Sequence, residues 1–238
     1  NSVADCLRTT QWAVQLAEAL QAPAIVLSDQ FLGQARAVVD RPADLEVAAT
    51  RQLAAVDAPG YRRYALTESG VSPMAIPGTA GIAYTADGLE HGERGAPSSQ
   101  AADHFAQLDK RLRKLEAWDY GDGWADLEGD PAAPLAIVTF GSCTGPVREA
   151  LARAAADGFK ARLVSLRLLA PLPAARLAAA LDGASRVLVI EQNHSAQLYK
   201  YLRGECDLPG KVGSLHRAGA LQFHPDEIHR HLLEWSRA

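Results

Sequence analysis

The carboxyl-terminal half of the chain alternates short apolar runs with helical segments, and this pattern constrains the fold most strongly. The runs are LAIVTF (135–140), ARLVSLRLL (161–169), SRVLVIE (185–191) and KVGSLH (211–216), and each is followed by a segment with helical periodicity. Parallel strands are buried on both faces and need a helical crossover between them. The alternation therefore predicts an α/β domain over 135–238 with an open, mostly parallel, doubly wound sheet.

The amino-terminal forty residues contain one helix and one strand, but no sheet for that strand. Apolar residues recur at helical spacing from 3 to 20, and AIVLSD (24–29) has the composition of a buried parallel strand. Residues 30–97 hold no second run of comparable strength. The strand either joins the later sheet or belongs to a sheet formed by another segment, and we favour the second. Because position 1 is Asn rather than Met, we expect 1–40 to be the end of an incomplete domain.

Residues 41–134 are predicted to be an irregular connecting segment with one helix at about 99–117. Pro and Gly are frequent from 40 to 97, and no hydrophobic period is sustained there. The acidic, Gly/Pro-punctuated stretch at 116–134 is typical of an interdomain linker. The predicted helix carries one apolar stripe made of Ala102, Phe105, Leu108, Leu112 and Leu115. Its basic residues near the carboxyl end suit the helix dipole better than an anion site.

The composition excludes several classes of function. The net charge is −4 with both signs interspersed, so the chain lacks the basic face of a nucleic-acid-binding protein. No apolar run approaches the ~20 residues of a membrane-spanning helix, and no signal peptide is recognisable. We therefore expect a cytoplasmic protein. Cys6, Cys143 and Cys206 are far apart in sequence, which predicts neither zinc nor an iron–sulfur cluster bound by this chain.

The turn GSCTG (141–145) lies between a predicted strand and a helix, as a nucleophile elbow does. Cys143 at this helix start is a candidate nucleophile, and His194, His216 or His224 could supply a base, with His194 as the pairing that we favour. Two other interpretations stay open: backbone N–H groups of the turn hold a phosphate or carboxylate, or the turn is only structural. EQNHSAQ (191–197) follows the strand at 185–191, and its Asn193 suits a ligand contact, a helix cap or a subunit contact.

The loop DGLEHGERG (87–95) concentrates charge between glycines. Glycines permit tight backbone turns, and the charged side chains between them suit a loop held against a neighbouring domain or subunit. We predict that Glu90, His91, Glu93 and Arg94 make subunit contacts or fold the loop. The alternatives are the rim of an active site and a plain solvent-exposed loop.

Several segments together resemble one known family. They are CLRTTQWAVQLAEALQAPAIVLSDQFLGQ, GVSPMAIPG, YTADGLEHGERG, KRLRKL, LRLLAPLP and VIEQNHSAQLYKYLRGE, in this order along nearly the whole chain. In these segments the chain resembles the C-terminal part of the alpha subunit of 2-oxoacid:ferredoxin oxidoreductases, particularly the 2-oxoglutarate type.

The resemblance implies a fold and an activity for the parent complex. That complex converts a 2-oxoacid and coenzyme A to acyl-CoA and carbon dioxide, using thiamine diphosphate, magnesium and iron–sulfur clusters, and reduces ferredoxin. Residues 1–40 are then the closing helix and strand of a pyrimidine-side domain. Residues 135–238 are then a domain similar to the C-terminal domain of transketolase. The implied protein partners are a beta subunit and the remainder of the alpha subunit.

The resemblance also implies that this chain holds no catalytic, cofactor-binding or metal-binding residue of its own. The family's substrate-gripping Thr and Arg motifs lie upstream of Asn1, and its diphosphate–magnesium motif belongs to the beta subunit. GDG at 121–123 begins like that motif, but no Asn follows it at the required spacing. We expect the isolated chain to organise subunit contacts and to be inactive. A hydrolase or amidotransferase using Cys143, and a non-enzymatic anion-binding module, are the alternatives.

Overall fold

The computed structural model describes residues 1–40 and 49–237, so residues 41–48 of the predicted connecting segment lie outside the described residues. The chain divides into two compact units. The sheet unit comprises Asn1–Thr9, Leu27–Pro42 and Tyr120–Ala238, and the loop unit comprises Thr10–Val26 and Ala43–Asp119. These units do not coincide with the three domains expected from the sequence, and that division stays a prediction.

The helices are α1 (Val3–Leu20), α2 (Gln30–Gln34), α3 (Ala101–Glu116), α4 (Thr144–Ala156), α5 (Ala174–Leu181), α6 (Gln197–Glu205) and α7 (Pro225–Arg237). The strands are β1 (Ala125–Gly129), β2 (Leu135–Phe140), β3 (Ala161–Leu166), β4 (Arg186–Glu191) and β5 (Lys211–His216), and short 3₁₀ turns span Gly121–Trp124 and Gly141–Cys143. Among the described residues, none of these helices has both the length and the apolar character needed to cross a bilayer.

The sheet unit is built on a five-stranded sheet in the order β1-β3-β2-β4-β5. Strands β2, β3, β4 and β5 are parallel, and β1 pairs antiparallel with β3 at one edge. Every residue of β2 except the last is buried, as expected for a strand covered on both faces. The prediction of an open, mostly parallel α/β sheet over the carboxyl-terminal half is confirmed.

Helices cover both faces of this sheet, so the unit is doubly wound. Val138 of β2 points into a core formed with Leu177 of α5 and Leu202 of α6. The preceding residue, Ile137, belongs to the opposite core, which includes residues of α4 and α7 such as Val147 and Leu232. Successive side chains of a strand point to opposite faces, which explains why one apolar run supplies both cores.

The interpretation of 116–134 as a linker is wrong. Ala125–Gly129 forms β1, which pairs along its length with β3. Its sequence ADLEG gives no strand signal because β1 is an edge strand, where charged residues are common and one side of the strand remains in solvent. Leu127 of β1 is accordingly exposed.

The prediction of a buried strand at 24–29 is also not met within the described residues. The backbone is irregular there, and no described strand pairs with it. Ile25, Val26 and Leu27 are 83%, 44% and 70% exposed. The apolar composition indicates a segment suited to a sheet interior, but the described chain supplies no neighbouring strand for it.

The described residues of the loop unit include the second part of α1, an irregular stretch over 49–100, and α3. The predicted helices at 3–20 and about 99–117 are confirmed as Val3–Leu20 and Ala101–Glu116. The buried side chains of α3, however, are Gln107 and Lys110, and its apolar stripe faces outward. Periodicity identified the stripe correctly, but α3 packs on the rest of the unit through its polar side.

Candidate functional site

Ligands of open parallel sheets usually bind at the carboxyl ends of the strands. Of the segments that follow the parallel strands, two carry candidate residues, the turn after β2 and the loop after β4. These are the two segments that the sequence singled out for Cys143, Asn193 and His194. The hydrogen bonds within these two segments determine whether their backbone N–H groups are available to a ligand.

The turn after β2 is occupied by side chains from the beginning of the chain. The Gly141 N–H donates to Oδ1 of Asn1 at 3.1 Å, and the Ser142 N–H donates to Oδ2 of Asp29 at 3.3 Å. The hydroxyl of Thr144 lies 3.4 Å from the same Asn1 oxygen. Backbone donors that precede a helix are a common anion site. In this turn, Asp29 itself supplies the negative charge.

The residues that follow Asp29 in sequence also hold its side chain in place. It caps α2, because its Oδ1 accepts a hydrogen bond from the Leu32 N–H at 2.9 Å. Burial opposes ionisation of this carboxyl, but hydrogen bonds from Ser142 and from the first turn of α2 outweigh burial and lower the pKa of Asp29. Asp29 is therefore a carboxylate that joins the segment 27–40 to the turn after β2.

A second carboxylate occupies the start of α6. Glu191, the last residue of β4, is fully buried and accepts hydrogen bonds from the Leu198 N–H at 2.7 Å and the Tyr199 N–H at 2.9 Å. The Asn193 amide also donates to Glu191, and Asn193 Oδ1 accepts from the N–H groups of Ser195 and Gln197 at 3.2 and 3.0 Å. The unpaired N–H groups of a helix start favour a negative charge, and here the chain provides it.

Cys143 lies in the core rather than at the surface. It is 4% exposed. Burial, followed by the negative charges of Asp29 and Glu191, raises the pKa of its thiol to about 11. The candidate base His194 is exposed, and no hydrogen bond between it and Cys143 occurs in the described part of the chain. This environment favours a neutral, unreactive thiol.

An ion-pair cluster ties α1 to the sheet, and sequence reasoning missed it. Arg167 Nη2 lies 2.7 Å from Asp5 Oδ1 and 2.7 Å from Asp126 Oδ1, and its side chain is almost fully buried. The Asn1 amide donates to Asp126 Oδ2 and to the Ser165 carbonyl, both at 3.1 Å. Asp5 and Arg167 are separated by most of the chain, so no local pattern in the sequence indicates this contact.

In the loop unit, Glu90 attaches the charged loop to α3. Its carboxylate accepts two hydrogen bonds from Arg111, at 2.7 and 3.1 Å, and lies 2.8 Å from His104 Nδ1. The hydrogen bond from Arg111, together with those from His104 and the His91 N–H, lowers the pKa of Glu90 to about 2 against the effect of desolvation. Glu90 therefore holds the loop on α3.

Glu93 and His91 fix the other side of the same loop. Glu93 accepts hydrogen bonds from Arg62 at 2.6 Å and from the Leu66 N–H at 3.0 Å. His91 is buried, and its ring centroid lies 3.8 Å from that of Tyr64. The loop is thus part of the packing of its own unit, whereas Arg94 points to solvent and has no polar partner among residues 1–40 and 49–237.

One buried and one half-buried lysine complete the packing of α3. Lys110 Nζ donates to the Tyr64 carbonyl at 3.0 Å and to the Ser72 hydroxyl at 2.8 Å, and Lys114 Nζ donates to the Gln21 carbonyl at 3.1 Å. Desolvation, reinforced by the nearby cations, lowers the pKa of Lys110 to about 8. These contacts support the structural interpretation of the basic residues of α3.

Comparison with known proteins gives consistent matches in both halves of the chain. Residues 1–110 match the family model described as pyruvate flavodoxin/ferredoxin oxidoreductase, thiamine diphosphate-binding. Residues 133–228 match the model for pyruvate:ferredoxin oxidoreductase core domain II.

The chain is similar to 2-oxoacid:ferredoxin oxidoreductase 2, subunit alpha, from Aeropyrum pernix, with 34% identity over 86% of this chain and 32% of that protein. It is similar to 2-oxoglutarate oxidoreductase subunit KorA from Mycobacterium tuberculosis, with 31% identity over 96% of this chain and 35% of that protein. The chain thus spans about a third of the length of these two curated relatives.

A solved structure, 2-oxoglutarate:ferredoxin oxidoreductase from Magnetococcus marinus with 2-oxoglutarate, coenzyme A and succinyl-CoA bound, matches with a TM-score of 0.85. Its sequence is 34% identical, and the match covers 98% of this chain and 41% of that chain.

The GDG segment at 121–123 does not fit a diphosphate–magnesium site. Asp122 of the GDG segment is fully exposed and lies 3.8 Å from Arg176. Across the described residues, no group of three His, Cys, Asp or Glu side chains is placed to hold a metal ion. Magnesium requires several convergent oxygen ligands, and this segment offers one carboxylate in solvent.

Proposed function

The chain belongs to the family of 2-oxoacid:ferredoxin oxidoreductase alpha subunits, and on this premise we propose that it organises contacts within and between subunits of such an enzyme. The parent complex would convert 2-oxoglutarate and coenzyme A to succinyl-CoA and carbon dioxide and reduce ferredoxin. Relatives named for 2-oxoglutarate, and the Magnetococcus marinus structure with 2-oxoglutarate and coenzyme A bound, support this choice of substrate.

The observation that carries the proposal is the occupancy of the carboxyl edge of the sheet by the chain's own side chains. Asn1 and Asp29 accept from the turn after β2, and Glu191 accepts from the start of α6. An anionic ligand would have to displace a carboxylate from either place. The contacts of Asn1 and Asp29 also fasten the amino-terminal segments of the chain to the turn after β2, which is a structural task.

The exposed segment 24–29 is the place where we propose that the rest of the alpha subunit joins. Ile25, Val26 and Leu27 expose apolar side chains, and the backbone there is not in a described strand. A strand contributed to a sheet of the pyrimidine-side domain would bury these side chains. The match of residues 1–110 to a thiamine diphosphate-binding domain supports this placement.

The cofactors would then come from outside this chain. Thiamine diphosphate would bind where the alpha and beta subunits meet, and the beta subunit would supply magnesium ligands and the iron–sulfur cluster. Glu90, Glu93 and His91 would keep their loop folded, and the exposed Arg94 would be available to a neighbouring subunit. No observation favours the nucleophile or the anion-binding alternative.

The test compares the isolated chain with the assembled complex. We expect no 2-oxoglutarate- and coenzyme A-dependent reduction of ferredoxin by the isolated chain, and activity from the complex. In hydrogen exchange, the amides of 24–28 should exchange rapidly in the isolated chain and at least about tenfold more slowly in the complex. Turnover by the isolated chain, or equally rapid exchange in both states, would refute the proposal.

A further inference from the structure

Helix α3 is amphipathic, but its apolar side is the side that the loop unit leaves uncovered. Phe105, Leu108 and Leu112 are 66%, 43% and 55% exposed, whereas Gln107 and Lys110 on the opposite side are 2% and 6% exposed. The packing of this helix is therefore the reverse of that of a helix on a hydrophobic core. Contiguous apolar surface that a chain does not cover itself is typical of an interaction site.

The spacing of the exposed stripe is that of a coiled-coil seam. Ala101, Phe105, Leu108, Leu112 and the half-buried Leu115 follow one another at intervals of four, three, four and three residues. These are the a and d positions of two heptads, with Phe105 and Leu112 at a. A strict a/d stripe is narrower than a stripe that faces a globular core and is suited to pairing with one other helix.

The polar residues beside the seam distinguish a parallel from an antiparallel pair of helices. Asp109 and Glu116 occupy e positions, and His104 and Arg111 occupy g positions. In a parallel helix pair, each g residue faces the e residue five positions further along the other helix. A second α3 would therefore place His104 opposite Asp109 and Arg111 opposite Glu116. In an antiparallel pair, e faces e, so the acidic residues of the two helices would meet each other.

Contacts within the loop unit keep α3 folded and order the side chains beside its seam. Glu90 binds Arg111 and His104, which orders both g side chains, yet they remain 41% and 54% exposed. A helix of this length is marginal on its own in water. In this chain α3 is held by Lys110 and Lys114 on its inner side, so pairing requires no folding of the helix.

We propose that the exposed seam of α3 pairs in parallel with α3 of a second copy of this chain, around a twofold axis along the helices. This helix pairing does not depend on the cofactor chemistry that we propose for the parent complex. Two heptads form a small interface, so the isolated chain should dimerise weakly, with a dissociation constant on the order of 10 µM.

The first test is sedimentation equilibrium over a wide concentration range. Leu108→Asp should weaken dimerisation by at least about tenfold, because it puts a charge at the centre of the seam. Leu221→Asp is the matched control, since Leu221 is 82% exposed in the sheet unit, and it should leave the dissociation constant unchanged. Circular dichroism confirms that both variants are folded. A chain that stays monomeric, or a dimer that Leu108→Asp does not weaken, would overturn the proposal.

The second test determines orientation. Ala101→Cys places a thiol at a d position, where a parallel pair brings both copies within disulfide distance. In an antiparallel pair the same two positions would be roughly 20 Å apart along the axis. We expect a disulfide-linked dimer after mild oxidation of Ala101→Cys that is absent from the unsubstituted chain. Dimerisation without this cross-link would contradict the parallel arrangement.

Discussion

Replacing Glu191 by Gln tests whether the buried carboxylate holds the start of α6. The change keeps the shape of the side chain, but one oxygen becomes an NH₂ group that cannot accept a hydrogen bond. In the less costly orientation this group replaces Oε1 and leaves the Tyr199 N–H without its 2.9 Å acceptor. An unsatisfied buried donor costs about 1–3 kcal/mol. Loss of the negative charge at the helix start adds about 0.3–1 kcal/mol.

The expected result is therefore a loss of about 2–3 kcal/mol in the free energy of unfolding. With a slope of about 4 kcal/mol/M in guanidinium chloride, the midpoint should fall by roughly 0.5–0.75 M. Glu149→Gln is the matched control, because Glu149 is a half-exposed partner of Arg153 on α4, and it should cost less than about 0.5 kcal/mol. If the midpoints of the two variants are equal within error by circular dichroism, Glu191 does not hold α6 and the reasoning fails.

Three further predictions concern other parts of the chain. The pKa of Glu90, lowered to about 2 by Arg111, should appear as a carboxyl titration near pH 2 by NMR. The stabilising effect should be complete above about pH 4.5 and be lost as the pH falls through 2, and Glu90→Gln should abolish it. Gly210→Ala should destabilise the chain by about 2 kcal/mol or more in chemical denaturation. The φ of Gly210 is +65°, and a Cβ there would lie 2.1 Å from the Ser185 carbonyl oxygen. Gly204→Ala in α6 is the control and should cost no stability, because its Cβ would meet nothing within 4 Å. Cys143, with a pKa near 11, should react with iodoacetamide at pH 8 no faster than the half-buried cysteines; preferential labelling of Cys143 by mass spectrometry would restore the nucleophile hypothesis.

The sheet could be predicted from the sequence because its central strands are buried on both faces. LAIVTF and RVLVIE are continuous apolar runs bounded by turns and helices, and they form β2 and β4. The edge strand β1 carries no such run, since one side of it faces solvent. Segment 24–29 is the opposite case, because its composition predicts a strand that the described chain does not form. Composition indicates that a segment suits a sheet interior, but pairing depends on a neighbouring strand.

The helices show the same division between local pattern and tertiary packing. The apolar seam of α3 can be recognised from the spacing of its residues in the sequence. Which side of the helix faces the unit, however, is set by Gln107 and Lys110, which donate hydrogen bonds to the Tyr64 carbonyl more than forty residues away. At the carboxyl edge, Glu191 and Asn193 precede α6 and are a local capping signal. Asn1 and Asp29 reach the turn after β2 from the other end of the chain, so no local pattern indicates them.

We propose that this chain fills its own sheet edge and leaves cofactor binding to other chains. Isothermal titration of the isolated chain with thiamine diphosphate and magnesium addresses it most directly. We predict no heat above that of dilution at cofactor concentrations up to about 1 mM, where a binding energy of only about 4 kcal/mol would already be detected. Stoichiometric binding with a micromolar dissociation constant would contradict the account.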